Sequence, residues 1–354
     1  MMKKSSVFVF LFVILMLLAY GCTNAKKDKV PLLEESWLSQ SLAEKGTLII
    51  CEEDYTVWGS SPVYDDEEKV HVFYSRWPKE GGSWLVDSEI AHAVADHPEG
   101  PYELLGTVMS GRGEGYWDAN SIHNPSVYRV DGKYVMVYIG NDISTAQNWR
   151  SKAPEANSQR VGLAIADSPY GPWQRFDNPM IPADPDSMAW DGYCTVNPGF
   201  VKHPNGEFWI YYRAWDRNND DRRKTGVAFA KNLEGPYVKY EKNPIIDKFE
   251  GVEGQTEDPV MFYYDGKFHC VIRDMGNWDW YSSLYLSSED GLFWSYPQRG
   301  KHMGSTYYDI PDERRCERDQ ILMKDGVPEY IFSAVSKPGG SCGGALKINL
   351  DQKP

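Results

Sequence analysis

The chain has few of the residues that build metal and nucleic-acid sites. Its 354 residues include only 7 histidines and 6 cysteines. No two cysteines form a C-x-x-C pair, which argues against a zinc site of that type. Basic residues are outnumbered, 37 Lys and Arg against 51 Asp and Glu, and the net charge is −14. A nucleic-acid or anionic-membrane surface needs a concentrated basic face, so that class of partner is not expected. The N-terminal apolar run, Val7 to Ala19, is too short to span a bilayer as a helix. What is abundant points elsewhere. With 13 Trp, 23 Tyr, 13 Phe, 31 Gly and 22 Pro, the composition favours many short strands joined by turns over a helical bundle.

Lys3 and Lys4 followed by the apolar run read as a signal-peptide core. Leu18-Ala19-Tyr20-Gly21-Cys22 resembles a bacterial lipobox, which implies lipidation of Cys22. The expected organisation is a lipoprotein signal peptide over 1–21, a tether and short helix over 22–46, and one domain over 47–354. Membrane contact is then expected only through the lipid, on an outer-membrane lipoprotein of the cell envelope. The Lys-rich tether lacks the acidic run expected of surface export, which favours a periplasm-facing orientation. Cys51, Cys194, Cys270, Cys316 and Cys342 remain. They allow at most two disulfides and are read mainly as buried structural thiols.

A repeat runs through the rest of the chain. Ser61-Pro62, Asn124-Pro125, Asn197-Pro198, Asp258-Pro259 and the degenerate Asp319-Gln320 each open an apolar strand. Asp131-Gly132, Asn205-Gly206, Asp265-Gly266 and Asp325-Gly326 then mark hairpin turns. Ala-x-Ala strands and Gly-Pro-aromatic turns follow, as in Gly100-Pro101-Tyr102, Gly171-Pro172-Trp173 and Gly235-Pro236-Tyr237. Each unit thus supplies four strands. Five such units predict an all-β, five-bladed β-propeller. Leu33, Trp37, Leu38 and Leu42 form one stripe over 31–45, predicting a short N-terminal helical extension outside the ring. Thr47–Glu53 reads as a strand that completes the fifth blade.

In this fold the first strand of each blade lines the axis, so the residues before each Pro converge on one funnel. They are Ser61, Asn124, Asn197, Asp258 and Asp319. The ends of the second strands reach the same face, carrying Arg76-Trp77, Arg213-Ala214-Trp215 and Arg273-Asp274, with Trp278 and Trp280 in the following loop. Strand alternation turns Asp258, Glu317 and Asp319 toward the axis and Glu257 away. The tryptophans offer flat apolar faces for stacking. Arg76, Arg213 and Arg273 suit forked hydrogen bonds to an anionic group.

His123-Asn124-Pro125, Thr256-Glu257-Asp258-Pro259 and Cys316-Glu317-Arg318-Asp319, with the Gly-Pro-aromatic hairpins, resemble the five-bladed glycosidase propellers. The likeness is to the family 43-like enzymes and more closely to the family 117-like anhydrogalactosidases, over roughly residues 50–350. It implies paired carboxylates, an acid and a base or nucleophile, and an oligosaccharide substrate. On this resemblance Asp258 and Glu317 are the acid/base pair. Asn124-Pro125 departs from the Asp-Pro of the resembling enzymes. Either Asp118 or Asp191, both preceded by Trp, fills that role from a loop, or the mechanism differs. His123 is an acid, an orienting group or a substrate donor, and Asn124 and Asn197 are placed to bind substrate. Related propellers often hold an axial calcium, but no acidic cluster of suitable spacing stands out. The function expected is an exo-acting glycoside hydrolase. An inverting phosphorylase and a non-catalytic glycan-binding lipoprotein are the alternatives.

Overall fold

The computed structural model describes residues 30–146 and 154–350. The chain divides into an N-terminal unit, Met1–Leu32, and a second unit, Leu33–Pro354. The expected signal peptide and Cys22 lie outside the described residues.

The second unit begins with α1 (Trp37–Ser41) and β1 (Thr47–Leu48). Blade 1 is β2 (Tyr55–Tyr64), β3 (Val70–Pro78), β4 (Glu89–Ala95) and β5 (Glu103–Met109). Blade 2 is β6 (Ile122–Val130), β7 (Lys133–Asn141), β8 (Gln159–Ala166) and β9 (Gln174–Arg175). Blade 3 is β10 (Thr195–Lys202), β11 (Phe208–Asp216), β12 (Arg222–Ala230) and β13 (Val238–Lys239). Blade 4 is β14 (Gln255–Tyr264), β15 (Lys267–Met275), β16 (Ser283–Ser288) and β17 (Gln298–Lys301). After α2 (Gly304–Tyr307), blade 5 is β18 (Cys316–Lys324), β19 (Val327–Lys337) and β20 (Gly340–Lys347), completed by β1. The innermost strands β2, β6, β10, β14 and β18 touch in a closed cycle, which makes the unit a five-bladed propeller.

The turns form for the reason the sequence suggests. Asp131-Gly132, Asp265-Gly266 and Asp325-Gly326 all take positive φ at both residues, the geometry that matches strand twist in a two-residue hairpin. Apolar side chains between neighbouring sheets fill the core. One such cluster joins Val63, Phe73, Val127 and Met136 of blades 1 and 2, and another joins Trp209, Val227, Cys270 and Leu284 of blades 3 and 4.

The ring is closed by its two ends. Thr47 pairs with Ala345 and Leu48 with Gly344, and backbone bonds continue the pairing through Ile49 and Ile50. Cys51 and Cys342 then form a disulfide across the seam, 291 residues apart in sequence. The closing strand is therefore shorter than Thr47–Glu53. Cys194, Cys270 and Cys316 are buried free thiols.

The helix is also shorter than the apolar stripe implies. Ser36 caps α1 by accepting from the Ser39 amide, and the backbone is already extended at Leu42. Leu38 and Leu42 pack against blades 4 and 5, while Leu33 joins a different cluster, so the four residues do not form one stripe.

Candidate active site

Each inner strand carries a β-bulge at the same place, and the bulges define the site. Register shifts fall between Trp58 and Ser61, His123 and Ser126, Val196 and Gly199, Glu257 and Val260, and Glu317 and Gln320. The first residue inside each gap has positive φ: Gly59, Asn124, Asn197, Asp258 and Arg318. A bulge breaks the period-2 alternation of a strand. Two expectations are corrected as a result. Glu257 does not point away but lines the cavity, in the place equivalent to Glu317 one blade on. Ser61 and Asp319 are not the axial residues of blades 1 and 5, where Gly59 and Arg318 take those places. Asp319 instead pairs with the fully buried Lys301 at 2.6 Å and accepts from Ser333.

The funnel at this face is a cavity of about 250 Å³. Trp58, Trp77 and Trp84, with Thr56, wall the blade 1 side. His123, Asn124, Gln159, Val196 and Asn197 continue round blades 2 and 3. Arg213, Glu257, Asp258, Arg273, Arg315, Glu317 and Arg318 complete the wall from blades 3, 4 and 5. Asp258 and Glu317 therefore meet in one funnel.

The floor is a chain of hydrogen bonds across the axis. Asn124 Nδ2 donates to Asn197 Oδ1 at 3.2 Å, and Asn197 Nδ2 to Asp258 Oδ1 at 2.6 Å. Arg318 then donates through Nη1 to Asp258 Oδ1 and through Nη2 to the Asn124 carbonyl, each at 3.2 Å. Above it, Arg273 Nη1 bridges Glu257 at 3.1 Å and Glu317 at 2.7 Å. Glu257 is further held by Arg213 at 2.7 Å and Arg223 at 3.2 Å.

These surroundings drive the carboxylates apart. Burial disfavours the charge on Glu257, but Arg213, Arg223 and Arg273 together hold it down at about 2. Burial pushes Glu317 up to about 7 against the pull of Arg273, with the charges of Asp258 and Glu257 adding to the rise. Asp258 is also raised, by burial above all and despite Arg318. Burial, with the charge of Arg318 adding, holds His123 down at about 3, so its imidazole is neutral and bonded to Gln159 at 2.8 Å. A proton donor near neutrality thus sits beside carboxylates in a walled cavity, the arrangement acid/base chemistry needs.

Several expected site residues lie elsewhere. Arg76 pairs in register with Val57, whereas Arg213 and Arg273 pair with Val196 and Glu257 at the bulge. That single-residue offset turns Arg76 to the other face of the sheet. There it binds Glu52 at 2.7 Å and Glu89 at 2.9 Å, outside the cavity.

Asp118 is fully buried against Arg112, Arg175 and Tyr138, and Asp191 against Lys239 and Tyr212. Trp117 stacks on Tyr138 and Trp190 on Tyr212. The repeated Trp-Asp pair is a brace between loop and blade, and neither aspartate reaches the cavity.

Trp215 is sandwiched between Arg217 and Arg223. Trp278 packs into the apolar cluster between blades 3 and 4, and Trp280 is exposed over Gly276. None of these three lines the cavity. The aromatics that do include Trp58 and Trp84, which sequence reasoning missed. Trp58 would have been found by aligning blade 1 on its bulge instead of on Pro62.

A second cavity of about 560 Å³ opens at the far end of the axis. Charges on its rim pair with each other, Arg129 with Asp66 and Lys324 with Glu68. On the axis itself the buried guanidinium of Arg318 stands where a calcium would need oxygen ligands. No group of three or more metal-ligating side chains occurs among the described residues. These residues do not fit an axial calcium.

No protein-family model and no curated protein matches the sequence. Solved structures do match the fold. Zg3597, a family 117 glycoside hydrolase of the marine bacterium Zobellia galactanivorans, superposes with a TM-score of 0.63 at 15% identity, over 88% of this chain and 92% of its own. A thermostable family-43 glycoside hydrolase gives 0.56 at 15% identity, over 83% and 88%. The endo-arabinase of Bacteroides thetaiotaomicron VPI-5482 gives 0.57 at 11% identity, over 86% and 97%. The class is thus the five-bladed propeller, and within it the chain shares its fold with glycoside hydrolases of families 117 and 43.

Proposed function

We propose that the chain is a glycoside hydrolase that removes a terminal sugar from an oligosaccharide. The observation that carries this reading is Glu317, a buried carboxyl raised to about 7 in a cavity that also holds Asp258. Glu317 is the general acid that protonates the leaving oxygen. Asp258 is the base or nucleophile, and both of its hydrogen bonds fall on Oδ1. Glu257 stays ionised, pins Arg273 and adds to the negative field that keeps the proton on Glu317. Trp58, Trp77 and Trp84 give the sugar ring a stacking wall. The closed floor suits a chain end better than a chain middle.

Four arginines line the cavity against three carboxylates, and Arg213 Nε is buried without a partner. That surplus supports a saccharide carrying a carboxylate or sulfate. Arg213→Ala should then cost more turnover on the anionic than on the neutral form of one oligosaccharide. Equal loss on both would end the anionic part of the reading.

A second reading is glycan binding without cleavage. It is favoured by blades 1 and 2, which present Trp58-Gly59 and His123-Asn124 where a further acid could stand. Product release from a panel of neutral and acidic oligosaccharides, followed for the wild type and Glu317→Gln, separates the two. Release that Glu317→Gln abolishes supports hydrolysis, and binding with no release in either protein supports capture.

A further inference from the structure

The funnel floor has one unfilled place. Five equivalent residues meet at the axis with φ between 49° and 65°, and four of them, Asn124, Asn197, Asp258 and Arg318, carry side chains. The backbone at the fifth, Gly59, strains a side chain but does not forbid one. Crowding does not forbid one either. A β-carbon on Gly59 would meet nothing nearer than Asn124 Oδ1 at 3.5 Å and Arg318 Nε at 3.8 Å, which is ordinary contact. Glycine leaves a gap beside these two atoms.

The polarity of the gap follows from the hydrogen bonds around it. Arg318 and Asn197 both donate to Asp258 Oδ1. Asn197 therefore turns its own oxygen back to accept from Asn124 Nδ2, which leaves Asn124 Oδ1 facing Gly59. Arg318 uses Nη1 on Asp258 and Nη2 on the Asn124 carbonyl, and its Nε is buried with no partner. One donor and one acceptor thus stand side by side. An anion there is repelled by Asn124 Oδ1, and an ammonium by Arg318. A hydroxyl satisfies both, because it donates and accepts at once.

We propose that the gap at Gly59 is a hydroxyl seat on the floor of the funnel, beside Asn124 and Arg318. A neutral hydroxyl or hydroxymethyl of the terminal sugar accepts from Arg318 Nε and donates to Asn124 Oδ1. The inference rests on the saccharide reading above and adds an orientation to it. The uncharged end of the sugar goes to the floor, and any acidic group faces outward to Arg213 and Arg315. A site built around buried donors and acceptors rejects a deoxy analogue strongly, since both atoms would be left unpaired.

Two experiments test it. Crystals of the protein are soaked separately in glycerol and in sodium bromide. The seat predicts a glycerol oxygen about 2.7–3.2 Å from both atoms. Anomalous bromide signal at Arg318 Nε, or only water there after both soaks, overturns it. The variant Gly59→Ser fills the seat with its own hydroxyl. It should melt slightly below the wild type, because a side chain at this positive φ is strained, and raise KM at least tenfold for the saccharide the wild type cleaves, with a smaller change in kcat. An unchanged KM overturns the seat. If the wild type cleaves no saccharide, the reading of the funnel fails while the soaks still decide the seat.

Discussion

Blades 1 and 4 share one backbone and carry opposite chemistry. Both inner strands bulge at the same place, with Trp58-Gly59 in one and Glu257-Asp258 in the other. Their second strands answer in register, Ser75 opposite Trp58 and Arg273 opposite Glu257. Blade 1 thus offers an apolar wall and a gap, and blade 4 a paired ionic network. The bulge fixes where a side chain points, and the residue placed there decides what it does. Chemistry in a repeat fold is therefore read by structural equivalence, not by the nearest shared proline.

The contrast can be broken at several points. The largest effect should come from Glu317→Gln, with kcat down about 10²–10⁴-fold, the usual worth of a general acid. Saccharide binding by fluorescence of the cavity tryptophans should persist. Full turnover by this variant would remove the acid from the charged side.

Next in size is the Trp-Asp brace. Asp118→Ala leaves Arg112 and Arg175 without their buried partner and should cost about 3 kcal/mol in denaturant unfolding. Its kcat per folded molecule should match the wild type. A selective loss of kcat would return Asp118 to the chemistry.

The pH dependence sharpens the comparison further. Glu317 is raised from 4.5 to about 7, so the folded state holds this proton more tightly than the unfolded chain. Stability from Glu317 is full below pH 4.5 and is lost as pH rises through 7. His92 and His123 are held down from 6.5 to about 3, chiefly by burial. The unfolded chain takes those protons first, so stability falls as pH drops below 6.5. Each proton contributes a slope of about 1.4 kcal/mol per pH unit at most. Stability should peak between about pH 6 and 7, and Glu317→Gln should remove the loss that Glu317 contributes between pH 4.5 and 7, which steepens the acid limb and levels the alkaline one. Unchanged limbs in that variant would show that Glu317 titrates normally. Turnover should also fall above pH 7 as the acid loses its proton.

The smallest effect separates the tryptophans. Trp84→Ala should weaken saccharide binding about tenfold, roughly 1.4 kcal/mol of stacking and burial. Trp280→Ala should leave binding unchanged, because Trp280 stands outside the cavity. The reverse order would move the aromatic wall from blade 1 to the loop after blade 4.

The prolines and the Asp-Gly turns were enough to find five blades, because strands and two-residue hairpins are local decisions written in a few adjacent residues. They were also enough to bring Asp258, Glu317, Arg213, Arg273, His123, Asn124 and Asn197 to one end of the axis. They misplaced Ser61, Asp319, Glu257 and Arg76, each by the residue or two that a bulge inserts. A bulge has no strong composition of its own here: Gly, Asn, Asp and Arg all occupy it. They also gave Asp118 and Asp191 a role that belongs to a brace, since a Trp-Asp pair reads the same beside a sugar or beside a tyrosine.

The order of strands, the positions of turns and the set of polar residues at one face were determined by the chain alone, through period and turn chemistry. Which carboxyl keeps its proton, which arginines are committed to partners and where glycine leaves room were decided only by the closed ring. Those properties depend on burial and on charges brought together from five blades, and no stretch of neighbouring residues contains them.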